Sequence, residues 1–342
     1  MEKDWRPSIS VENLKRRAQL LADVRLFFAQ KGVLEVETPI LSQAAPTAPY
    51  LDSFKTDYIP IGTSLQQTYY LQTSPEFAMK RLLAADTGSI YQIAKVFRNG
   101  EQGRLHSPEF TMLEWYRPEL TLTQLMDEVS ALVVSVGGFS EAISLSYATV
   151  FEQYLGIDIF GCTDQQLRSV GLQKMPSIMR DIELDRDGWL ELLMSEVIEP
   201  KLAVFDRPVM VYDFPVSQAQ LAKIHADEQG REVAARFELY AGGLELANGY
   251  DELLDPDELR QRFEQDNQQR QVLGKPLMPL DEYLLAAMTS GLPPCVGVAL
   301  GLDRLLMAIS SEEDINKILF KFTIYIQLIS DRDKNQYLEN YN

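Results

Sequence analysis

The order in which helix-like and strand-like segments follow one another constrains the fold of this chain most. Apolar residues recur at helical spacing over residues 11–31. Strand-like segments at 90–98 and 109–116 flank a ten-residue loop, which predicts a hairpin. Because helices and strands do not alternate regularly elsewhere, a doubly wound parallel sheet is disfavoured. The pattern predicts an α+β fold, an antiparallel β-sheet flanked by helices.

Composition and charge limit the functions open to the chain. Its 342 residues suffice for one large domain or two modest ones, and the net charge of −18 argues against DNA or tRNA as the main partner. No signal peptide is visible, and no apolar stretch approaches the roughly 18 residues of a membrane helix. Cys162 and Cys295 lie far apart, which predicts buried thiols in a reduced cytoplasm. Only two histidines are present, so a histidine-rich metal site is excluded.

The second strand of the predicted hairpin carries an unusual set of side chains. Side chains alternate along a strand, so Phe110, Met112, Glu114 and Tyr116 share one face. A carboxylate on such a face is costly to bury without a partner, and a cationic ligand would supply one. An exposed face with a surface glutamate fits the pattern equally well. Arg98, at the end of the opposing strand, suits either a phosphate or a surface ion pair.

Residues 74–76 read as an ordinary helix start. Ser74 is the expected N-cap, Pro75 the first helical residue and Glu76 an acidic residue of the first turn. This structural interpretation explains the three residues without any function.

Two carboxylates flank a turn-like dipeptide in GLELANGYDEL. Glu245 and Glu252 are seven residues apart, and the Asn-Gly pair between them predicts a tight turn. Two carboxylates brought together by a hairpin would suit Mg²⁺, which prefers oxygen ligands. Two solvent-facing acids beside a turn explain the sequence equally well.

The stretch GVALGLDRLLMA predicts a buried strand that leads into a helix beginning near Gly301. Arg304 then falls in the first turn, where the helix dipole disfavours a cation. A bound anion shared with the helix end would explain the arginine. An ion pair in the neighbourhood of Asp303 is the competing explanation.

Together these stretches resemble the catalytic core of the class II aminoacyl-tRNA synthetases, in the lysyl subgroup. GVLEVETPIL is similar to motif 1 of that family, the hairpin with Arg98 and HSPEFTMLEWY to motif 2, and GVALGLDRLLMA to motif 3. The resemblance runs from about residue 10 to 310. It implies one class II synthetase-like catalytic domain over residues 1–317, with a helical insertion at about 120–205 and an atypical C-terminal tail at 318–342. Because the core motifs begin so early, we expect no anticodon-binding domain.

The resemblance also implies roles for residues at matching positions. The residues implied to bind a lysine-like substrate are Ser74, Pro75, Glu76, Glu114, Tyr116, Asn248, Tyr250, Glu252 and Ala299. Those implied to bind ATP are Arg98, Asn99, Gly100, Ser107, Phe110, Glu245, Leu246, Gly301 and Arg304. Arg98 and Arg304 are expected to be catalytic, and Glu245 and Glu252 to hold Mg²⁺.

Three positions depart from the pattern of this family. Gly100 stands where motif 2 usually has glutamate, and Ser107 where the similar ligases have asparagine. Both fall in the nucleotide loop. Ala299 replaces the glycine usual in lysyl-tRNA synthetases, which is consistent with a pocket reshaped for a β-amino acid.

Within the family, the core-only form with TSPE, EFTMLEWYRP, ELANG and GVALG closely resembles the ligases that attach β-lysine to elongation factor P. This implies a cytoplasmic homodimer that activates (R)-β-lysine with ATP as an acyl adenylate. It would then transfer the β-lysyl group to the ε-amino group of a specific lysine of elongation factor P. The alternatives are a free-standing lysyl-tRNA synthetase-like enzyme with another acceptor, and a non-catalytic regulatory paralogue. No membrane partner is expected, and the net charge disfavours tRNA.

Overall fold

Helices and strands fill most of residues 7–175 and 183–320, the part of the chain that the computed structural model describes. The helices are α1 (Val11–Gln30), α2 (Glu76–Ala84), α3 (Leu122–Gly137), α4 (Tyr147–Leu155), α5 (Asp164–Lys174), α6 (Arg186–Leu193), α7 (Glu199–Leu202), α8 (Pro256–Val272), α9 (Glu282–Gly291) and α10 (Leu302–Ser310). The strands are β1 (Leu34–Glu35), β2 (Leu41–Ser42), β3 (Lys55–Tyr58), β4 (Gln67–Leu71), β5 (Ile90–Phe97), β6 (Glu109–Arg117), β7 (Ile143–Ser146), β8 (Val209–Phe214), β9 (Ile224–Ala226), β10 (Glu232–Ala241), β11 (Leu244–Asp251) and β12 (Val296–Gly301).

One large sheet organises the fold. Within the described residues, nine strands form it in the order β1-β5-β6-β12-β11-β10-β8-β7, with β9 paired to β10. The β1–β5 and β7–β8 pairs are parallel, and the other neighbours are antiparallel. Strands β2, β4 and β3 form a separate small sheet. The prediction of an α+β fold around an antiparallel sheet is therefore confirmed.

The hairpin predicted at 90–116 is also confirmed. Strand β5 pairs with β6 over its whole length, from Ile90 opposite Tyr116 to Phe97 opposite Glu109. Both strands are rich in β-branched and aromatic residues and flank a loop with two glycines and a proline, which explains why the sequence located them.

Helices α1, α3 and α10 cover one face of the sheet. Phe28, Trp115, Leu132 and Leu306 are buried in this layer. Burial of a large apolar side chain contributes roughly 1.5–3 kcal/mol, so this layer fixes which face of each central strand turns inward. Since Trp115 faces these helices, its neighbours along β6 face the other way.

The region from about 120 to 205 is less purely helical than predicted. Helix α3 packs in the main core, and β7 joins the edge of the large sheet beside β8. Helices α4 to α7 pack instead in a second cluster around Trp189, Phe151 and Val211. The prediction missed β7 because a four-residue strand between two helices carries little periodic signal.

Helix α1 follows its sequence signals. The Ser10 hydroxyl accepts a hydrogen bond from the backbone N–H of Asn13, as expected of an N-cap. The C-cap is Lys31, and Gly32 follows it with φ of +68°. Of the tail predicted at 318–342, residues 321–342 lie outside the described part of the chain. In that described part, no helix is long and apolar enough to cross a membrane.

Candidate active site

The face of β6, β11 and β12 opposite the helical core carries the residues singled out by the sequence. We call it the site face. Glu114 lies opposite Ala299, which in turn lies opposite Asn248. One row further along, Gly297 lies between Tyr116 and Tyr250. Antiparallel register thus brings together side chains more than 130 positions apart in the sequence, which no local pattern could reveal.

A buried lysine joins two of the predicted acids. Lys80 Nζ lies 2.6 Å from Glu76 Oε1 and 2.6 Å from Glu252 Oε2. Only 3% of the Lys80 side chain and 1% of the Glu252 side chain are exposed. Lys80 is on α2 one turn after Glu76, which places both on the same side of that helix. The two glutamates and Lys80 form what we call the acidic wall of the site.

Glu114 borders the acidic wall and has one free oxygen. The Tyr116 hydroxyl donates to Glu114 Oε1 at 2.7 Å, whereas the buried Oε2 has no hydrogen-bond partner. Burial raises the pKa of Glu114 well above its usual range, and the charges of Glu76 and Glu252 add to the rise. A buried carboxylate oxygen without a donor is costly, and a bound ammonium group would satisfy it.

Asn248 and Tyr250 extend the polar surface toward β10. Asn248 Nδ2 donates to the Tyr250 hydroxyl at 2.9 Å, and Asn248 Oδ1 accepts from Arg236 Nε at 3.1 Å. The Tyr250 hydroxyl donates in turn to the side chain of Gln220. These contacts hold both side chains in fixed positions beside Ala299 and Gly297.

The Asn-Gly dipeptide does not form the turn that the sequence predicted. Asn248 and Gly249 lie inside β11, and the hairpin turn falls at Gly242 and Gly243. Gly-Gly is also a favoured hairpin dipeptide, and in this chain it forms the turn. The prediction that a turn brings Glu245 and Glu252 together is wrong.

A β-bulge decides where Glu245 points. The register passes from Leu239 opposite Ala247 to Tyr240 opposite Glu245, so Leu246 is an extra residue. Leu246 and Ala247 both pack in the helical core. The bulge therefore returns Glu245 to the site face despite its odd spacing from Glu252. Seven strand positions still separate the two glutamates by roughly 20 Å, too far for one shared metal ion.

Glu245 has other acids beside it. Burial raises the pKa of Glu238 and the charge of Glu245 adds to the rise, while Arg236 opposes it. Burial, then Glu245 and Glu238, raise the pKa of Glu199 to about 7. Within residues 7–175 and 183–320, no three His, Cys, Asp or Glu side chains converge closely enough to hold a metal ion alone. A cation here would need oxygens from a ligand as well as from the carboxylates.

Arg304 links the start of α10 to this region. Its Nη1 donates to the Glu245 carbonyl at 3.0 Å and lies 3.5 Å from Glu245 Oε2. Its Nη2 lies 2.8 Å from His106 Nε2. Asp303 pairs instead with Arg17, so the competing explanation of Arg304 by its neighbour Asp303 is wrong. Gly301 is the N-cap of α10, and a Cβ atom there would lie 3.9 Å from the Leu246 carbonyl oxygen.

Arg98 extends from the end of β5. Its guanidinium carbon lies 5.1 Å from the Phe110 ring centroid, and its Nη1 is 3.7 Å from Glu101 Oε1. The buried Arg98 Nε has no hydrogen-bond partner. A stacked guanidinium with an unsatisfied donor and a loose ion pair remains available to an anion.

The loop after Arg98 has a backbone shape that favours its glycine. Asn99 N donates to the Asp52 carbonyl at 2.7 Å, which ties the start of the loop to the core. Gly100 follows with φ of +88°, a left-handed conformation that residues other than glycine rarely adopt. The loop returns through Ser107 to β6. The departure at Gly100 thus has a conformational cause in this chain.

The helix start at residues 74–76 differs slightly from the prediction. Helix α2 begins at Glu76 with Pro75 as its N-cap, so Ser74 is not the N-cap and Pro75 is not the first helical residue. Ser74 Oγ accepts a long hydrogen bond, 3.4 Å, from the Glu76 backbone N–H. The segment instead places Glu76 at the acidic wall.

Three site residues escaped the sequence analysis. Lys80 follows Glu76 by four positions, a helical ion-pair spacing that could have found it. Glu238 and Glu245 flank the Gly-Gly dipeptide, so a hairpin turn at this dipeptide would have predicted that they lie near each other. His106 lies in the loop that follows Arg98, and no local pattern relates it to Arg304.

Comparisons with known proteins agree with this geometry. The model of the family described as tRNA synthetases class II (D, K and N) matches residues 3–322. The protein named elongation factor P--(R)-beta-lysine ligase is 46% identical over 316 residues in Photorhabdus laumondii, covering 92% of this chain and 96% of the relative. The ligases of that name from Proteus mirabilis (47% over 322 residues, 94% and 98%) and Edwardsiella ictaluri (48% over 315 residues, 92% and 96%) match equally broadly. This chain therefore belongs to the class II tRNA synthetase family (D, K and N).

Proposed function

We propose that this chain is an ATP-dependent ligase that activates (R)-β-lysine and transfers it to a lysine of elongation factor P. Relatives 46–48% identical over nearly their whole length carry the name of that activity. The observation in the structure that carries the proposal is the unpartnered, buried Oε2 of Glu114 beside the acidic wall. A bound ammonium group would satisfy this oxygen, and β-lysine brings two ammonium groups.

The two ends of the site face suit the two reacting substrates. The acidic wall adjoins Gly297, whereas Arg304 follows Gly301, four positions further along β12. Four strand positions span about 13 Å. An amino acid held at the wall by its ammonium groups would therefore direct its carboxylate toward a nucleotide held at the arginines.

Recognition of the amino acid would depend on the acidic wall and on the side chains of the site face that border it. Glu76 and Glu114 would accept from its ammonium groups, with Glu252, Tyr116, Asn248 and Tyr250 completing the polar surround. The methyl group of Ala299 lies between Glu114 and Asn248 and would limit the space under the substrate backbone.

Recognition of ATP would depend on the opposite end. Arg98 would bind the α-phosphate, Phe110 would stack on adenine, and Arg304, with His106, would contact the outer phosphates. Asn99, Gly100 and Ser107 would supply loop contacts, while Leu246 and Gly301 would lie under the nucleotide. The carboxylate of β-lysine attacks the α-phosphorus, the bond to pyrophosphate breaks, and an acyl adenylate forms.

The carboxylates at the nucleotide end fit Mg²⁺ only with help from phosphate oxygens. We assign Glu245 to this ion and exclude Glu252, which Lys80 already neutralises at the far end of β11. Glu238 is likewise already paired, with Arg236. The ion would neutralise charge on the phosphates. The protein residues Arg98 and Arg304 would fix the geometry of the attack.

In the second step, the ε-amine of the target lysine attacks the carbonyl carbon of the adenylate. AMP leaves, and the amine nitrogen loses a proton as the amide forms.

We further propose a homodimer through the segment similar to motif 1, where Leu34, Ile40 and Leu41 are exposed apolar residues. We place the enzyme in the cytoplasm, and propose neither a membrane nor tRNA as a partner.

ATP–pyrophosphate exchange tests the activation step. The purified chain should exchange fastest with (R)-β-lysine among (R)-β-lysine, (S)-β-lysine, α-lysine and aspartate. Preference for α-lysine would contradict the substrate. Labelled product should then appear on elongation factor P and not on tRNA. A folded chain whose melting temperature does not rise with ATP and Mg²⁺ would support the non-catalytic alternative.

A further inference from the structure

Lys80 is the only cation that the described residues place inside the acidic wall. Its ammonium group is within ion-pair distance of Glu76 Oε1 and Glu252 Oε2, both 2.6 Å away. A fully buried lysine is rare, because transfer of an ammonium ion out of water costs several kcal/mol unless partners compensate. Here two carboxylates compensate, and the ammonium takes a place that a substrate amine would otherwise compete for.

The net charge of the side chains around Lys80 determines which substrate charge would balance the pocket. Glu76, Glu114 and Glu252 together carry three negative charges when ionised, and Lys80 offsets one of them. The remaining charge of two matches a diamine with two ammonium groups. Without Lys80 the three buried carboxylates would repel one another more strongly and would bind protons more readily.

We propose that Lys80 is an internal counterion of the amine pocket: fixed between Glu76 and Glu252, it favours the ionised forms of the neighbouring carboxylates and sets the pocket to accept a dication. This inference rests on the proposed function, because it assigns the amines of β-lysine to this pocket. Lys80 is a positioning residue, since it acts on the substrate through the carboxylates.

The pKa of Glu114 depends on the charged groups around it, including Lys80. The groups whose charges bear on Glu114 are Glu76 from α2, Glu252 after β11, Tyr116 on its own strand and Lys80. Lys80 and Glu252 also face Cys295, which lies before β12 with Asp251 and Lys223 nearby. Burial, Glu76 and Glu252 raise the pKa of Glu114, and Lys80 lowers it. Since the ionised form binds an ammonium group, affinity for the amine should increase as pH rises through that pKa.

The experiment measures binding of (R)-β-lysine by calorimetry from pH 6 to 9 in wild type, Lys80→Met and Lys80→Met/Glu252→Gln. In Lys80→Met we expect the pH at which binding strengthens to rise by about one unit, and affinity below that pH to fall about tenfold. The double variant removes one charge of each sign and should return the profile toward wild type. A role of Lys80 in packing alone would leave the profile in place and give no such rescue.

A third variant keeps the test decisive if Lys80→Met does not fold. Glu252→Gln leaves the Lys80 ammonium with one fewer carboxylate, so binding of the dication should weaken while its pH profile moves to lower pH. An unchanged profile in Glu252→Gln would overturn the inference. Wild type that binds β-lysine but supports no exchange would contradict the proposed function alone, and wild type that does not bind β-lysine would overturn the inference.

Discussion

Arg304 and His106 form a contact between the first turn of α10 and the loop that follows β5, with Arg304 Nη2 2.8 Å from His106 Nε2. A guanidinium group can only donate, so Nε2 accepts and the imidazole is neutral. Burial and the charge of Arg304 lower the pKa of His106, in agreement with this assignment. The contact holds Arg304 over the region where we place the phosphates of ATP.

Replacement of His106 by alanine should weaken ATP binding. Without its acceptor, the Arg304 side chain loses one of its two anchors, and we expect the KM for ATP in the exchange reaction to rise about tenfold or more. His225, the other histidine of the chain, pairs with Asp213 on a different part of the sheet. His225→Ala is therefore the matched control, and an equal effect of both variants would contradict the role of His106.

Glu245 and Glu252 should respond differently to a change in Mg²⁺. Glu245→Gln should raise the Mg²⁺ concentration for half-maximal exchange by about tenfold or more, because a carboxylate is lost where we place the ion. Glu252→Gln should leave the Mg²⁺ requirement unchanged and raise the KM for β-lysine instead. Metal titrations of exchange at saturating β-lysine separate the two effects. A changed Mg²⁺ requirement in Glu252→Gln would restore the original prediction of a shared site.

The contrast between these two glutamates shows where sequence reasoning stops. The seven-residue spacing of Glu245 and Glu252 can be read from the sequence. Their positions in the fold depend on whether Asn-Gly or Gly-Gly forms the turn, and on the extra residue Leu246 in the β-bulge. Asn-Gly and Gly-Gly are both good hairpin signals, and only pairing with β10 and β12 decides between them. A bulge moves every residue beyond it to the opposite face of the sheet. Without the bulge in view, the sequence therefore could not predict on which face Glu245 lies.

Other parts of the fold and site were readable because they depend on local patterns. Helix α1 has a clear helical period, and the β5–β6 hairpin and the strand leading into α10 are mostly apolar segments with their own end signals. Lys80 depends on both local and distant residues. Its spacing from Glu76 predicts a helical ion pair, but its burial follows from Glu252, which lies 172 positions later in the chain.

Gly297 should tolerate no side chain. A Cβ atom there would lie 2.3 Å from Tyr116 Cε1 and 2.5 Å from Glu252 Oε1, closer than real atoms approach. Gly297→Ala must displace Tyr116 or Glu252, so we expect a higher KM for β-lysine as well as a loss of about 1–3 kcal/mol in the free energy of unfolding.

Gly137→Ala provides the control for overpacking. Its Cβ would lie 2.5 Å from Phe139 Cε2, beside the far end of α3 and away from the site face. It should lower stability without changing the KM. Urea unfolding and exchange kinetics on both variants make the comparison, and normal β-lysine kinetics in Gly297→Ala would show that the wall does not need this glycine.

Asp303 should contribute strongly to the stability of the fold, because its carboxylate contacts both α1 and β6. It is 1% exposed, pairs with Arg17 of α1, and accepts from the Thr111 backbone N–H at 2.6 Å. Arg17 Nη2 also donates to Thr111 Oγ1 at 2.6 Å. One carboxylate thus joins α1, β6 and α10, the three elements that position Arg304 relative to Phe110.

Asp303→Asn removes the charge and keeps the shape. Loss of one partner from a buried ion pair leaves the other charge uncompensated, so the free energy of unfolding should fall by about 3 kcal/mol. Glu12→Gln, which breaks the exposed pair with Arg16, should change it far less, because water screens that pair. Urea unfolding monitored by tryptophan fluorescence makes the measurement. Equal stability of Asp303→Asn and wild type would show that Arg17 finds another partner and that the start of α10 is fixed by its apolar face alone.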